Sequence, residues 1–210
     1  MFKKVFFFLS CFLLVSCQKK PELEISAPQL IFAQAPVQLV YSFSCPVCQK
    51  DILPCQIEER GEAEFNKAIS KVFEAQGIKV VKIEEKNRRE FSPKSLIRWC
   101  ELAKVLNAEK IIVPVLFCWQ ERKGSAISVS LPAQVGFHLH IFDVKSYKLI
   151  WSGGFQEKQE PLSANLFELD KFIKRGGKWL KAEELAREGL EKLVKEYLDS
   201  QKQNASNTSN

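Results

Sequence analysis

Long hydrophobic runs are missing from this 210-residue sequence. No stretch reaches the roughly 18 apolar residues that a bilayer-spanning helix requires. Glycine and proline number nine each, too few for a collagen-like or low-complexity chain. Histidine is scarcer still, with only His138 and His140. GxSxG, Walker A, GxGxxG and HExxH signatures are all absent, which removes the motif warrant for nucleophile-elbow, nucleotide-binding and zincin chemistry. What is present is an ordinary globular composition, 46% hydrophobic and 27% charged, which argues against global disorder. The length suits one domain with appendages and can bury a sizeable core.

The N-terminus has the features of an export signal. Lys3 and Lys4 precede an apolar run from Val5 to Val15 of signal-peptide length. It ends Leu14-Val15-Ser16-Cys17, which resembles a bacterial lipobox. That resemblance implies cleavage before Cys17, a thioether-linked diacylglycerol on its sulfur and an amide-linked acyl chain on its new amino group, with fatty acids such as palmitate. Each buried methylene then adds about 0.8 kcal/mol of membrane affinity. Gln18 rather than Asp follows the anchor, which by resemblance to Gram-negative sorting implies the outer membrane, with the domain facing the periplasm. Loss of residues 1–16 removes Lys3 and Lys4, so Lys+Arg falls from 31 to 29 against 25 Asp+Glu and net charge falls from +6 to +4. Charge and compartment together argue against a nucleic-acid partner.

Residues 17–35 are expected to form a lipid anchor and tether, reaching at most about 60 Å when extended. Residues 36–200 are expected to form a single domain, and 201–210 a disordered polar tail. Within the domain, strand-like Val37–Phe43 leads to a cysteine-containing loop. Phe65, Ala68, Ile69, Val72 and Phe73 recur at helical spacing and Gly77 supplies a stop. Ile78–Ile83 alternates as a strand, and Ser92-Pro93 reads as an N-cap with Pro at N1. The continuous apolar run IIVPVLFCW predicts a strand covered on both faces, with a bulge or an edge at Pro114. Two further strands, Ala133–Val144 and KLIWSGGFQ, flank a turn over Asp143–Tyr147, and Lys181–Leu198 predicts an amphipathic helix. The order β-α-β-α-β-β-β-α predicts an α/β (α+β sandwich) fold: a mixed sheet with two interleaved helices, an antiparallel meander and a C-terminal helix.

Cysteine is the residue type in excess, with seven copies. Cys11 lies in the signal and Cys17 is the lipidation site, leaving five. Cys100 and Cys118 sit in apolar patterns and read as small core residues. Cys45, Cys48 and Cys55 form a tight group. In an oxidising compartment the favoured expectation is a disulfide joining Cys55 to Cys45 or Cys48, stapling an irregular loop. A thiol-disulfide oxidoreductase using Cys45 and Cys48 is the second reading; Pro54 sits where its helix belongs. A zinc-stabilised domain is the third, with Cys100, Cys118, His138 or His140 as the missing ligand.

His138 and His140, two residues apart, share one strand face. No carboxylate pattern nearby completes a metal site, so they are expected to be polar residues on the outward or helix-covered face, and no metal or other cofactor is expected. The segment KFIKRGGKWLK (171–181) is expected to be a solvated connection, the alternative being contact with anionic headgroups.

From about Val37 onward the pattern resembles small lipoprotein domains related to the TolB N-terminal domain, LpoB and CsgG. The residues that carry the resemblance are ELAKVLNAEK leading into IIVPVLFCWQER, and FHLHIFDVKSYKLIWSGGF, where a strand turns after Asp143 and returns. It implies a non-catalytic binding, assembly or regulatory module of the cell envelope, held to the membrane through Cys17 and acting on an envelope protein partner. The CPVC loop departs from the better-known members, so their partner-binding residues do not carry over.

Overall fold

A computed structural model describes residues 30–85, 90–160 and 169–208. The signal peptide and Cys17 lie outside the described residues. The described chain runs β1 Ile31–Gln34, β2 Gln38–Leu39, α1 Gly61–Glu74, β3 Lys79–Lys82, α2 Pro93–Val105, β4 Lys110–Gln120, β5 Lys123–Gly124, β6 Val129–Leu131, β7 Gln134–Asp143, β8 Leu149–Lys158, α3 Leu169–Lys174 and α4 Ala182–Thr208.

The main sheet has the order β3-β1-β4-β7-β8, with β2 also paired to β4. β3, β1 and β4 are parallel, whereas β4, β7 and β8 form an antiparallel meander, giving the mixed sheet expected from sequence. β1 and β2 are two halves of one line of pairing. Phe32–Gln34 pair with Lys110–Ile112, and Gln38–Leu39 with Val115–Leu116. Pro114 lies between those two paired stretches, where its missing N–H deprives no ladder partner. Pro114 therefore marks neither an edge nor a bulge. β4 is central, and its irregularity lies between Leu116 and Cys118.

Helices cover both faces. Phe65, Ile69, Val72 and Phe73 of α1 and Leu185, Leu190 and Val194 of α4 pack on one face, against Ile112, Leu116, Val135, Phe137, Leu139 and Ile141. Burial of each such side chain contributes roughly 1.5–3 kcal/mol. On the opposite face α2 places Leu96, Trp99, Cys100 and Ala103 over Ala33, Ile111 and Val113. Its start is fixed by a reciprocal cap: Ser92 Oγ accepts from the Ser95 N–H at 3.1 Å, and Ser95 Oγ accepts from the Ser92 N–H at 2.8 Å. α2 covers only part of that face. Further along β4, the 40–55 loop places Val40, Cys45 and Ile52 over Val115, Phe117 and Cys118.

Two expected boundaries are corrected. Ile31–Gln34, assigned to the tether, is a central strand with Phe32 fully buried. Four residues ending just before Pro36 are too short to show a period, and burial on both faces hides the alternation. Residues 201–208, assigned to the disordered tail, continue α4. No Gly or Pro interrupts the chain between Leu190 and Thr208, and Lys202 pairs with Asp199 one turn earlier. The 171–181 segment is docked rather than merely solvated: Trp179 and Leu180 are buried, and Arg175 pairs with Glu157 and Glu188.

The β7–β8 turn is built on Asp143. Its Oδ1 accepts from the Ser146 N–H and hydroxyl, both at 2.8 Å, and its Oδ2 accepts from Lys110 Nζ at 2.9 Å. The Lys110 ammonium, followed by the two Ser146 donors, holds the carboxyl well below the usual carboxylate range. A folded-state pKa depressed in this way stabilises the fold above the unfolded value, and the contribution is lost as pH falls through the folded value. Asp143→Asn is therefore expected to cost about 1–2 kcal/mol in urea unfolding at pH 7, because bonds to a charged acceptor are replaced by weaker ones. The difference should shrink as the titration is taken into strong acid.

Candidate metal centre

The alternation of β7 sends Phe137 and Leu139 to the α1/α4 face and His138 and His140 to the other. In register, His140 lies opposite Val113 of β4, and His138 opposite Val115 on one side and Gly154 of β8 on the other. The 40–55 loop lies over both histidines.

That loop folds back on itself. Ser44 bridges Asp51, the Cys45 N–H donates to the Lys50 carbonyl at 2.9 Å, and the Gln49 N–H donates to the Cys45 carbonyl at 3.0 Å. Gln49 closes the turn with φ 60°, a left-handed conformation next to the second cysteine. The knuckle presents Cys45 and Cys48 on one side, towards β7. Cys45 Sγ lies 3.6 Å from His140 Nε2, and Cys48 Sγ lies 3.5 Å from His138 Nδ1. One donor atom from each of the four residues lies within 4.8 Å of every other.

The ring of His140 is oriented from behind: its Nδ1–H donates to the Val113 carbonyl at 3.1 Å, which leaves the Nε2 lone pair aimed at Cys45. His138 stands edge-on to Phe117, with ring centroids 5.3 Å apart. Its other side rests on Gly154, where an added Cβ would lie 2.6 Å from Cδ2 and 2.7 Å from Nε2 of the ring. Cys45 and His140 are 0% exposed, His138 is 8% exposed, and Cys48 is half-buried. The cluster is thus sealed on its inner half. A cleft of about 280 Å³, lined in part by Lys50, Asp51, His138 and Gly154, reaches its outer half.

Burial dominates the electrostatics. It pushes the Cys45 thiol up to about 11, although the Cys48 and Val47 N–H groups directed at its sulfur act in the opposite sense. It pushes His140 down to about 4, and lowers His138 with help from the nearby Lys50 charge. Left to themselves, Cys45 and the two histidines favour their neutral forms.

The disulfide is Cys55–Cys118, spanning 63 residues, and corrects the expected pairing of Cys55 with Cys45 or Cys48. Cys118, read as a core residue, is the partner because Cys55 runs beside β4, its N–H donating to the Phe117 carbonyl at 3.0 Å. Cys45, Cys48 and Cys100 are free thiols among the described residues, and Cys100 is a buried core residue as expected. No metal was expected from the sequence, yet His138 and His140, expected on an outward or helix-covered face, meet two cysteines. The oxidoreductase arrangement is absent: no helix starts at Cys45, and residues 46–48 form a turn.

Fold and site together define an α+β sandwich in which a cysteine knuckle replaces a helix over one end of the sheet. No known family model matches the sequence, and no curated protein matches it. Among solved structures, the chain is similar to a PelC dodecamer from Paraburkholderia phytofirmans, at 13% identity over 80% of this chain and 94% of that one, TM-score 0.42. It is also similar to lipoprotein GNA1162 from Neisseria meningitidis, at 9% identity over 70% and 98% of the two chains, TM-score 0.41. A third is protein XCC0632 from Xanthomonas campestris, at 13% identity over 85% and 91%, TM-score 0.42. Among the described residues, no helix is long and apolar enough to cross a membrane.

Proposed function

We propose that this chain is a lipid-anchored envelope protein of the outer membrane, facing the periplasm, whose domain is a non-catalytic binding or assembly module for another envelope protein. The observation that carries the reading is Leu14-Val15-Ser16-Cys17 at the end of a basic-then-apolar leader. With β1 beginning at Ile31, the tether shortens to residues 18–30 and reaches at most about 45 Å, so the domain stays close to the membrane.

The CPVC loop supports the non-catalytic part. A catalytic dithiol needs an exposed cysteine whose thiolate is favoured by a helix N-terminus. Cys45 is fully buried in a turn, with its thiol pushed up to about 11.

The test is metabolic labelling with a palmitate analogue, followed by membrane fractionation and crosslinking in the native envelope. Wild-type protein is expected to carry the label, sediment with outer membranes and crosslink to a second envelope protein. Cys17→Ser is expected to lose the label and to accumulate with its leader uncleaved. An unlabelled wild-type chain released into the soluble fraction contradicts the anchor, and recovery of the chain alone from crosslinking contradicts the adaptor role.

A further inference from the structure

We propose that Cys45, Cys48, His138 and His140 hold one zinc ion in a closed tetrahedral structural centre. The site is independent of the lipid anchor: it rests on the donor set and its geometry.

Three observations converge. The first is distance. Zinc binds thiolate sulfur at about 2.3 Å and imidazole nitrogen at about 2.0–2.1 Å, so at tetrahedral angles a sulfur and a nitrogen on one ion stand about 3.5–3.6 Å apart. The two sulfur–nitrogen separations across the cluster are 3.6 and 3.5 Å. The second is orientation. A zinc-bound histidine usually donates its remaining N–H to a carbonyl or carboxylate, and His140 donates to Val113 in that way. The third is charge. Two thiols that release their protons to solvent and two neutral imidazoles around a divalent cation make a centre of net charge zero. Such a centre is compatible with the burial of Cys45 and His140, where an unpaired charge is not.

Two thiolates and two imidazoles with their donor atoms within 4.8 Å of one another, two sulfur–nitrogen pairs at tetrahedral separation, favour zinc over magnesium or calcium, which prefer oxygen donors, and over copper(II), which prefers tetragonal sites. With four protein donors the coordination sphere is full, so the ion is structural rather than catalytic. The cleft lined by His138 gives the ion a path to the His138 edge of the site.

The ion also accounts for the division of the cysteines, on the premise that the domain lies in an oxidising envelope. Cys55 and Cys118 are joined, whereas Cys45 and Cys48 remain thiols side by side. Thiolates held by zinc share their electron density with the ion and are weaker nucleophiles toward a disulfide-bearing oxidant than free thiolates.

The test is cobalt substitution of the full mature protein. Metal is removed by chelation under conditions that leave Cys55–Cys118 intact, and cobalt(II) is added. The expected result is saturation at one cobalt per chain, with the visible bands of a tetrahedral ion and a near-ultraviolet thiolate charge-transfer band, both erased by one equivalent of zinc. Cys48→Ser and His138→Gln, on the less buried half, are expected to weaken zinc binding at least about 100-fold, and Cys48→Ser to reduce the charge-transfer band. Gly154→Ala removes no donor but drives a Cβ against the His138 ring, and is expected to weaken binding about 10–100-fold, the effect typical of an orienting neighbour. Cys100→Ala should leave the spectrum unchanged. An octahedral spectrum, no spectrum, or one that survives Cys48→Ser overturns the site. Stoichiometric copper in place of zinc in protein as isolated overturns the identity of the ion. The wild-type titration decides the matter even if a ligand variant fails to fold.

Discussion

Removing the ion lowers the thermal unfolding midpoint by roughly 8–16 °C. An ion that binds the folded chain at about a thousand times its dissociation constant stabilises it by about 4 kcal/mol. For a domain of about 150–250 residues each kcal/mol corresponds to roughly 2–4 °C. The structural reason is local. The α1 and α4 face is held by a large apolar cluster, whereas the 40–55 loop buries Val40, Cys45 and Ile52, with Val47, Cys48 and Cys55 partly buried beside them, in a small cluster on Val115, Phe117 and Cys118. The ion ties that weakly packed loop to β7 through His138 and His140. Calorimetry of zinc-loaded and chelated protein measures the shift. Hydrogen exchange should place the earliest loss of protection at the Cys45 and Gln49 amides, with α1 and α4 still protected. An unchanged midpoint would mean that the loop needs no ion.

The second large effect belongs to the disulfide. Cys55–Cys118 closes a loop of 63 residues. In the chain-entropy account, a cross-link of that span stabilises the fold by about 4 kcal/mol. The doubly substituted Cys55→Ala, Cys118→Ala protein is therefore expected to unfold roughly 8–16 °C below wild type. It should also bind zinc more weakly. Cys55 lies seven residues after Cys48 and is pinned to β4, so the bond fixes the end of the segment that carries both thiolates. Urea unfolding with and without zinc separates the two contributions. They are expected to be non-additive, because both act on one loop. A loss below about 1 kcal/mol would show that the segment is held by its packing alone.

The helices and the meander were legible because their signals are local. α1 and α4 carry a helical period of apolar residues, α2 carries Ser92 and Pro93 at its start, and the β7–β8 turn carries Asp143. β1 was hidden because it is only four residues long and stops just short of Pro36. The tail is polar enough to suggest disorder, although nothing between Leu190 and Thr208 breaks a helix. The centre was half legible: the CPVC spacing and the shared face of His138 and His140 are both visible in sequence. What joins them is tertiary. The two sulfur–nitrogen contacts span 90 and 95 residues, and they exist because β7 pairs with β4 while the loop after β2 turns back over the face that α2 leaves uncovered. The partner of Cys55 was likewise a matter of register. Cys118 lies in a run so apolar that its sulfur looks like core packing until β4 is set beside the 55–58 segment, where Ile57 bridges Trp119.

The most direct test of the zinc centre is the intact mass of the mature protein under native and denaturing conditions, measured on material isolated without added metal. One zinc ion per chain is expected in the native spectrum. On denaturation the ion leaves, one disulfide remains, and alkylation labels Cys45, Cys48 and Cys100. A metal-free chain in which Cys45 and Cys48 are joined to each other would contradict the zinc centre.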